Sequence, residues 1–393
     1  MKRILKLIWI ASIIVIFTSC SVDSCTLNSD PLLQQVSTYN NWRIFKNRPS
    51  RSLGEITTYT TNGLVIDYLD IVLASDTMLA AGSTINGVSY ILLEDIGTPK
   101  GKVKSYTGPN TGIASDRFGF SGLAIHPVTN KMYAWYNREI VDLEELKPIY
   151  FNAPDYTHGT YGTTPITRFV IDEQGDFWIG TSNLRPDGSR RDGDENGLFK
   201  ISLKGESSEK IEIFDYAVWH LYKDKENNLW ASTNEGFFKI DFETMDYTIF
   251  EITHDLWDAC FIEQVIEYKG KLYAIAKNYF HNVHIDTQYA LYEIDKGQKK
   301  LEHISDITKE DETHYHQTRA FVYKDTLYFV LGGSLKKLDA GNKIVETSLI
   351  QSGHVNIGQY SHSVVNDTLY SVGNRKGISI FNDAGHTILI SDG

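Results

Sequence analysis

A short phrase that the chain repeats constrains its fold more than any other feature. Aligned on a polar turn and the apolar, aromatic strand after it, seven copies stand out. They read SDTMLAAG from Ser75, TNKMYAWY from Thr129, QGDFWIGT from Gln174, ENNLWAST from Glu226, KGKLYAIA from Lys269, KDTLYFVL from Lys324 and NDTLYSVG from Asn366. Their anchors are Leu79, Tyr133, Trp178, Trp230, Tyr273, Tyr328 and Tyr370, spaced 42 to 55 residues apart. A four-stranded propeller blade needs a period of that size. The grammar around each anchor is constant: an apolar strand such as Arg319 to Tyr323, a polar turn, the anchor strand, then a strand such as Gly236 to Asp241. The turns are rich in Asn, Asp, Gly and Lys, which hairpin geometry selects. Alternation in LYEID (Leu291 to Asp295) and FFKID (Phe237 to Asp241) has a period of two, and no segment after the N-terminus sustains a helical stripe. A single blade has two apolar faces and buries neither alone, whereas a ring covers them all if its ends join. The expectation is an all-β chain, a seven-bladed β-propeller of four-stranded antiparallel blades over residues 41–393. Glu55 to Thr60 (EITTYT) is expected to zip the ring as the outer strand of the last blade. His386 to Ile390 (HTILI) is the alternative for that slot.

The N-terminus reads differently. Lys2, Arg3 and Lys6 precede a largely apolar run from Leu7 to Phe17, and small residues lead to Cys20, a secretory signal layout. As a helix that run rises only about 16 Å, against roughly 30 Å of bilayer core. Phe17-Thr18-Ser19-Cys20 resembles a bacterial lipobox, which implies removal of residues 1–19, lipidation of Cys20 and a tether over residues 20–40. An ordinary signal peptide cut elsewhere is the alternative. Ser21 after the cysteine resembles the sorting pattern of outer-membrane lipoproteins, periplasmic or surface-exposed. Cleavage takes the formal net charge from −12 to −15. A chain this acidic is a poor partner for nucleic acid, where Lys and Arg must neutralise phosphates. The membrane link is then the lipid alone. Cys25 and Cys260 are the other cysteines, too few for a disulfide framework, so stability has to come from the core.

Propeller geometry gathers the starts of the inner strands around one end of a channel. Counting back from the anchors makes Arg168, His220, Gln264, Arg319 and Ser361 equivalent. Two arginines and a histidine there form a basic mouth suited to a carboxylate or sulfate, since guanidinium holds oxyanions bidentately. Trp219, Phe261, Tyr315 and Tyr360 are neighbours that suit stacking on a sugar ring. The plainer alternative is that these side chains line a watery channel and bond one another or the backbone. DGDENG (Asp192 to Gly197) matches the first half of a calcium loop through Asp192, Asp194 and Asn196, but Leu203 stands where the bidentate Glu belongs. Calcium is the one cofactor to consider. The pairs His281/His284 and His314/His316 have no third ligand in view. Glycoside hydrolysis needs two facing carboxyl groups, and Glu263 and Asp70 near inner-strand starts have no assigned partner. No nucleophile elbow, phosphate loop or Cys–His pattern is present, so no catalytic residue is assigned.

DFWIGT with GLFKI, and NNLWAST with GFFKI, resemble the LWIGT-type repeats of two-component regulator propellers. YTTNGL (Tyr59 to Leu64) and YTGPNTGI (Tyr106 to Ile113) resemble that family's inter-blade segments. Trp178 and Trp230 carry the match, and the other anchors replace tryptophan with Tyr or Leu. The resemblance implies an exported sensor region responding to glycan fragments. No later membrane span, kinase or DNA-binding segment follows, so what carries over is a lipid-anchored propeller that binds an oligosaccharide or an envelope protein without catalysis. The runner-up is a carbohydrate-active enzyme. Polysaccharide lyases on propellers use His, Tyr and Arg, which His220, His362, Tyr360 and Arg319 would supply. A structural subunit of an outer-membrane complex is the third reading.

Overall fold

The computed structural model describes residues 33–39, 42–47, 56–61, 71–83, 87–96, 104–106, 120–136, 139–145, 147–150, 169–181, 197–204, 207–253, 260–278, 289–307, 319–331, 334–347, 361–372, 378–383 and 385–391. Among them helix is limited to one 3-10 turn, Leu93–Asp95, and no helix is long and apolar enough to cross a membrane. Turn chemistry sets the strand boundaries. Lys324-Asp325 and Asn366-Asp367 hold positive φ at both residues, as does Lys269-Gly270. Two-residue hairpins with the right-handed strand twist require that backbone. Each anchor strand therefore pairs antiparallel with the strand on either side of it. Among the described residues the strands group into four-strand meanders between 71 and 106, 120 and 150, 170 and 214, 218 and 253, 260 and 306, 319 and 346, and 361 and 391, numbered here as blades 1 to 7 in chain order.

Two aspartate positions explain the repeated phrases. Asp142, Asp241 and Asp295 end third strands and Asp339 directly follows one, and each accepts two backbone N–H groups of the following turn at 2.8–3.2 Å. Asp172 and Asp224 follow inner strands and are buried. Asp172 accepts the Trp178 indole N–H at 2.8 Å and the Gln174 and Asp176 backbone N–H groups. Asp224 accepts the Trp230 indole N–H at 2.9 Å and two donors from Asn228. The tryptophan anchors thus come with a buried acceptor, which an indole N–H needs in a core.

The core is divided among the junctions. Among the described residues seven apolar clusters occur, and each is shared by two neighbouring blades. Trp178 fills the cluster between blades 3 and 4, and Trp230 the one between blades 4 and 5; both are fully buried. Inner strands touch their neighbours all the way round, and Ile71–Ala74 of blade 1 meets Ser361–Val365 of blade 7. Val72, Leu79 and Ile91 pack on Tyr370, Val372 and Ile380 across that seam. The ends of the ring join.

The closure differs from the expectation. The strand Gly385–Ser391, which contains HTILI, is the antiparallel fourth strand of blade 7. Ile56–Thr61, from EITTYT, pairs parallel outside it, so both segments join the sheet instead of competing for one slot. Trp42–Asn47 and Leu33–Tyr39 extend that sheet further, which puts a strand inside the segment expected to be tether. A second parallel contact joins the outer strands of blades 4 and 5, where Glu251 to Thr253 pair with Lys300 to Glu302.

Antiparallel order sends alternate connections to opposite rims. First-to-second and third-to-fourth connections lie on one rim. Second-to-third and inter-blade connections lie on the other, where inner strands begin. Every connection longer than the 93–103 segment, namely 107–119, 151–169, 182–196, 307–318 and 347–360, leaves from that second rim.

Candidate functional site at the loop-bearing rim

The register places four of the counted positions as equivalents. His220 lies opposite Ser232, Gln264 opposite Ile275, Arg319 opposite Val330 and Ser361 opposite Val372, in each case two residues past the anchor. Their polar atoms reach the next inner strand. The Gln264 amide donates to Ala320 O at 2.7 Å and accepts from Ala320 N at 2.8 Å. His220 Nε2 accepts from Val265 N at 3.4 Å, and Ser361 Oγ donates to Val72 O at 3.3 Å. Ser232 accepts from Ile262 N, and Ser363 from Ala74 N, in the same sense. This belt of side-chain-to-backbone bonds ties blade to blade near the axis. Of the two readings drawn from sequence, these three side chains fit backbone-bonded channel lining.

Arg319 is engaged differently. It starts the inner strand of blade 6 and is buried, with Nη1 3.8 Å from Glu263 Oε2. Lys277, near the end of the second strand of blade 5, places Nζ 3.6 Å from Glu263 Oε1 and 5.9 Å from the Tyr289 ring. Glu263 is thus the partner of two cations. Sequence left it without a partner because a bulge sets its direction. The register slips between Ile262 and Gln264, so Glu263 drops out of the ladder. Blade 4 slips at the corresponding place, between Val218 and His220, which puts the half-buried Trp219 in the same role. Lys277 had no signal in the sequence, because its part depends on the bulge in the adjacent strand.

Both ion-pair distances exceed the 2.7–2.9 Å typical of charge-assisted hydrogen bonds. Among the described residues, Lys277 and Arg319 both face Glu263 at the rim from which the long connections leave. An incoming oxyanion would meet a guanidinium and an ammonium in a place of low dielectric, where such charges act strongly. His362, cast above in a lyase role, is buried and stacks on Phe321 with ring centroids 4.6 Å apart.

Arg168, Tyr360, Tyr315, Asp70, Cys20, the calcium-loop residues Asp192, Asp194 and Asn196, and the pairs His281/His284 and His314/His316 lie outside the described residues. So does the side chain of Phe261. Among the described residues no group of three or more His, Cys, Asp or Glu is placed to hold a metal ion. The opposite rim carries a cleft of about 400 Å³ between the turns of blades 4 and 5. Its charges face one another: Lys225 pairs with Glu267 at 3.0 Å, Lys271 with Glu293 at 2.8 Å and Lys296 with Glu226 at 2.5 Å. That cleft is a salt-bridged seam between two blades.

No family model matches the sequence, and no curated protein does. Solved structures with a similar fold include the WD40 propeller domain of Doa1, at 10% identity over 81% of this chain and 93% of that one, with a TM-score of 0.48. Dihydro-heme d1 dehydrogenase NirN, in complex with DHE, is 11% identical over 90% of this chain and 71% of its own, with a TM-score of 0.49. The extracellular domain of a one-component system from B. thetaiotaomicron is 12% identical over 90% of this chain and 53% of that one, with a TM-score of 0.35.

Proposed function

We propose that the chain is an exported, seven-bladed binding propeller, anchored through a lipid on Cys20, that holds an acidic oligosaccharide at its loop-bearing rim. One observation carries this reading: Lys277 and Arg319 converge on the single buried carboxylate of Glu263 at the strand starts. Two cationic side chains brought together at the base of the long connections of an acidic chain are suited to receive an anion. Arginine supplies the bidentate geometry a uronate carboxylate needs. Trp219, in the equivalent bulge of the preceding blade, is the nearest candidate for a stacking wall. The LWIGT-type phrases point the same way, toward an envelope sensor.

The test is a thermal-shift titration of the detergent-solubilised full chain with oligogalacturonate, alongside a neutral cello-oligosaccharide. At about 100-fold excess over Kd, binding adds roughly 2.7 kcal/mol of stability. The acidic sugar is expected to raise the midpoint and the neutral one to leave it in place. Lys277→Ala and Arg319→Ala should each remove the ligand-induced rise, measured against their own unliganded midpoints. A rise that persists unchanged in Arg319→Ala overturns the reading. New reducing or unsaturated ends in the same samples would make the chain an enzyme.

A further inference from the structure

The outer flank of the junction between blades 3 and 4 is built unlike a sealed blade interface. The outer strand of blade 4, Tyr247–Thr253, is drawn toward blade 5 by its parallel pairing, which includes Glu251 N donating to Lys299 O at 3.0 Å. Phe250 and Ile252 on one face of that strand pack into the junction with blade 5. Tyr247 and Ile249, on the face toward blade 3, stay 43% and 55% exposed. Among the described residues only four large apolar side chains are exposed, and these two alone share a strand and a face. Across from them run the half-buried Ile211 and Ile213 of the outer strand Ser207–Phe214. Rings form the floor: Phe214 lies 5.8 Å from Tyr247, and Phe238 lies 5.4 Å from Tyr247 and 5.7 Å from Tyr216.

We infer that this wedge is a docking groove for an extended, positively charged segment of a partner protein. Three observations fix that occupant. The groove runs along two outer strands, and among the described residues Ser207–Phe214 is hydrogen-bonded to a strand on one side only. An extended chain can add to such an edge through its backbone and place alternate side chains in the groove. The groove's surroundings are acidic. Asp215 and Glu235 bear electrostatically on the Tyr216 phenol, and Glu251 shares the strand face of Tyr247 and Ile249. Lys200, on the blade 3 side, is held by Asp176 at 2.8 Å. A second copy of the same acidic chain would bring like charge to this site, whereas a Lys- or Arg-bearing segment with aliphatic or proline residues matches both its walls and its rim. The Tyr216 phenol is held above its ordinary value, first by the Tyr247 phenol, then by partial desolvation and the hydrogen bond between the two. The Tyr216 hydroxyl therefore stays protonated at the groove mouth. This groove is separate from the Glu263 cluster and does not depend on it.

An array of random-sequence nonapeptides, probed with the detergent-solubilised full chain, tests the inference, with the strongest binders remade as fluorescein conjugates and titrated by anisotropy. Selected peptides should combine Lys or Arg with Pro, Leu or Val, and should weaken as salt rises. Tyr247→Ser with Ile249→Ser should weaken them at least tenfold. Ile249→Lys, a change at a site open to solvent, should do the same by charge. Asp215→Asn with Glu235→Gln should weaken them several-fold, and Arg319→Ala should leave them unchanged. Absence of saturable binding, acidic selected sequences, or affinity indifferent to Ile249→Lys would each overturn it. So would a neutral hexasaccharide or a second copy that binds the native chain but not the Tyr247/Ile249 double variant.

Discussion

At Asp224 a single carboxylate ties a turn, a core ring and a neighbouring blade together. Burial opposes its charge, yet the Trp230 indole, the Asn228 donors and Lys296 outweigh burial and hold its pKa below the usual carboxylate range. The sign follows. A depressed folded value adds stability that is complete above the unfolded pKa of about 3.9 and is lost as pH falls through the folded value. Asp224→Asn should therefore flatten the acid limb of the stability curve below about pH 4, read by denaturant titration at several pH values. Asp224→Ala strands a buried indole N–H and should cost about 3 kcal/mol. Asp241 accepts the same kind of turn N–H groups in solvent, so Asp241→Ala should cost only about 0.5 kcal/mol. Sequence marks all these aspartates alike, as turn residues. What separates them is burial, which depends on the next blade and is not written locally. The same holds for Lys277, whose partner a bulge in the adjacent strand decides.

At the level of elements, turns and strands are the legible part. The letters Lys-Gly, Lys-Asp and Asn-Asp before the anchors announce hairpins, and the structure bends there with positive φ. Gly270 offers a clean measure of that backbone, because φ is +74° and nothing lies within 4 Å of where a Cβ would sit. Gly270→Ala should cost about 1–2 kcal/mol from conformation alone, seen as a lower midpoint in urea with an unchanged m-value. Strand pairings between blades are the illegible part. Neither the parallel contact of Glu251 with Lys300 nor the stacking of EITTYT outside HTILI leaves a mark in either segment's own pattern. Both depend on how far an outer strand leans once its blade is wedged between neighbours.

For the whole molecule, closure is carried by the C-terminal strands themselves. Blade 7 completes four strands with Gly385–Ser391, and its seam with blade 1 is sealed by the Tyr370 cluster and the Ser363 bond to Ala74. A chain starting at residue 48 should therefore keep a cooperative unfolding transition and native near-UV circular dichroism. A chain ending at residue 384 loses the fourth strand and the edge that Ile56–Thr61 pairs with. It should unfold at a clearly lower urea concentration, and equal midpoints for the two truncations would contradict this account.

The division between the rims has a consequence for descent. Tight bends on one side, aspartate-capped in blades 2 to 6, hold the register of the strands they join, so change there is punished in the sheet. The side with the long connections asks little of its sequence beyond the strand ends that anchor it. Relatives with this architecture are therefore expected to diverge by insertion and exchange on one side only, altering what they hold while the scaffold beneath stays as it was.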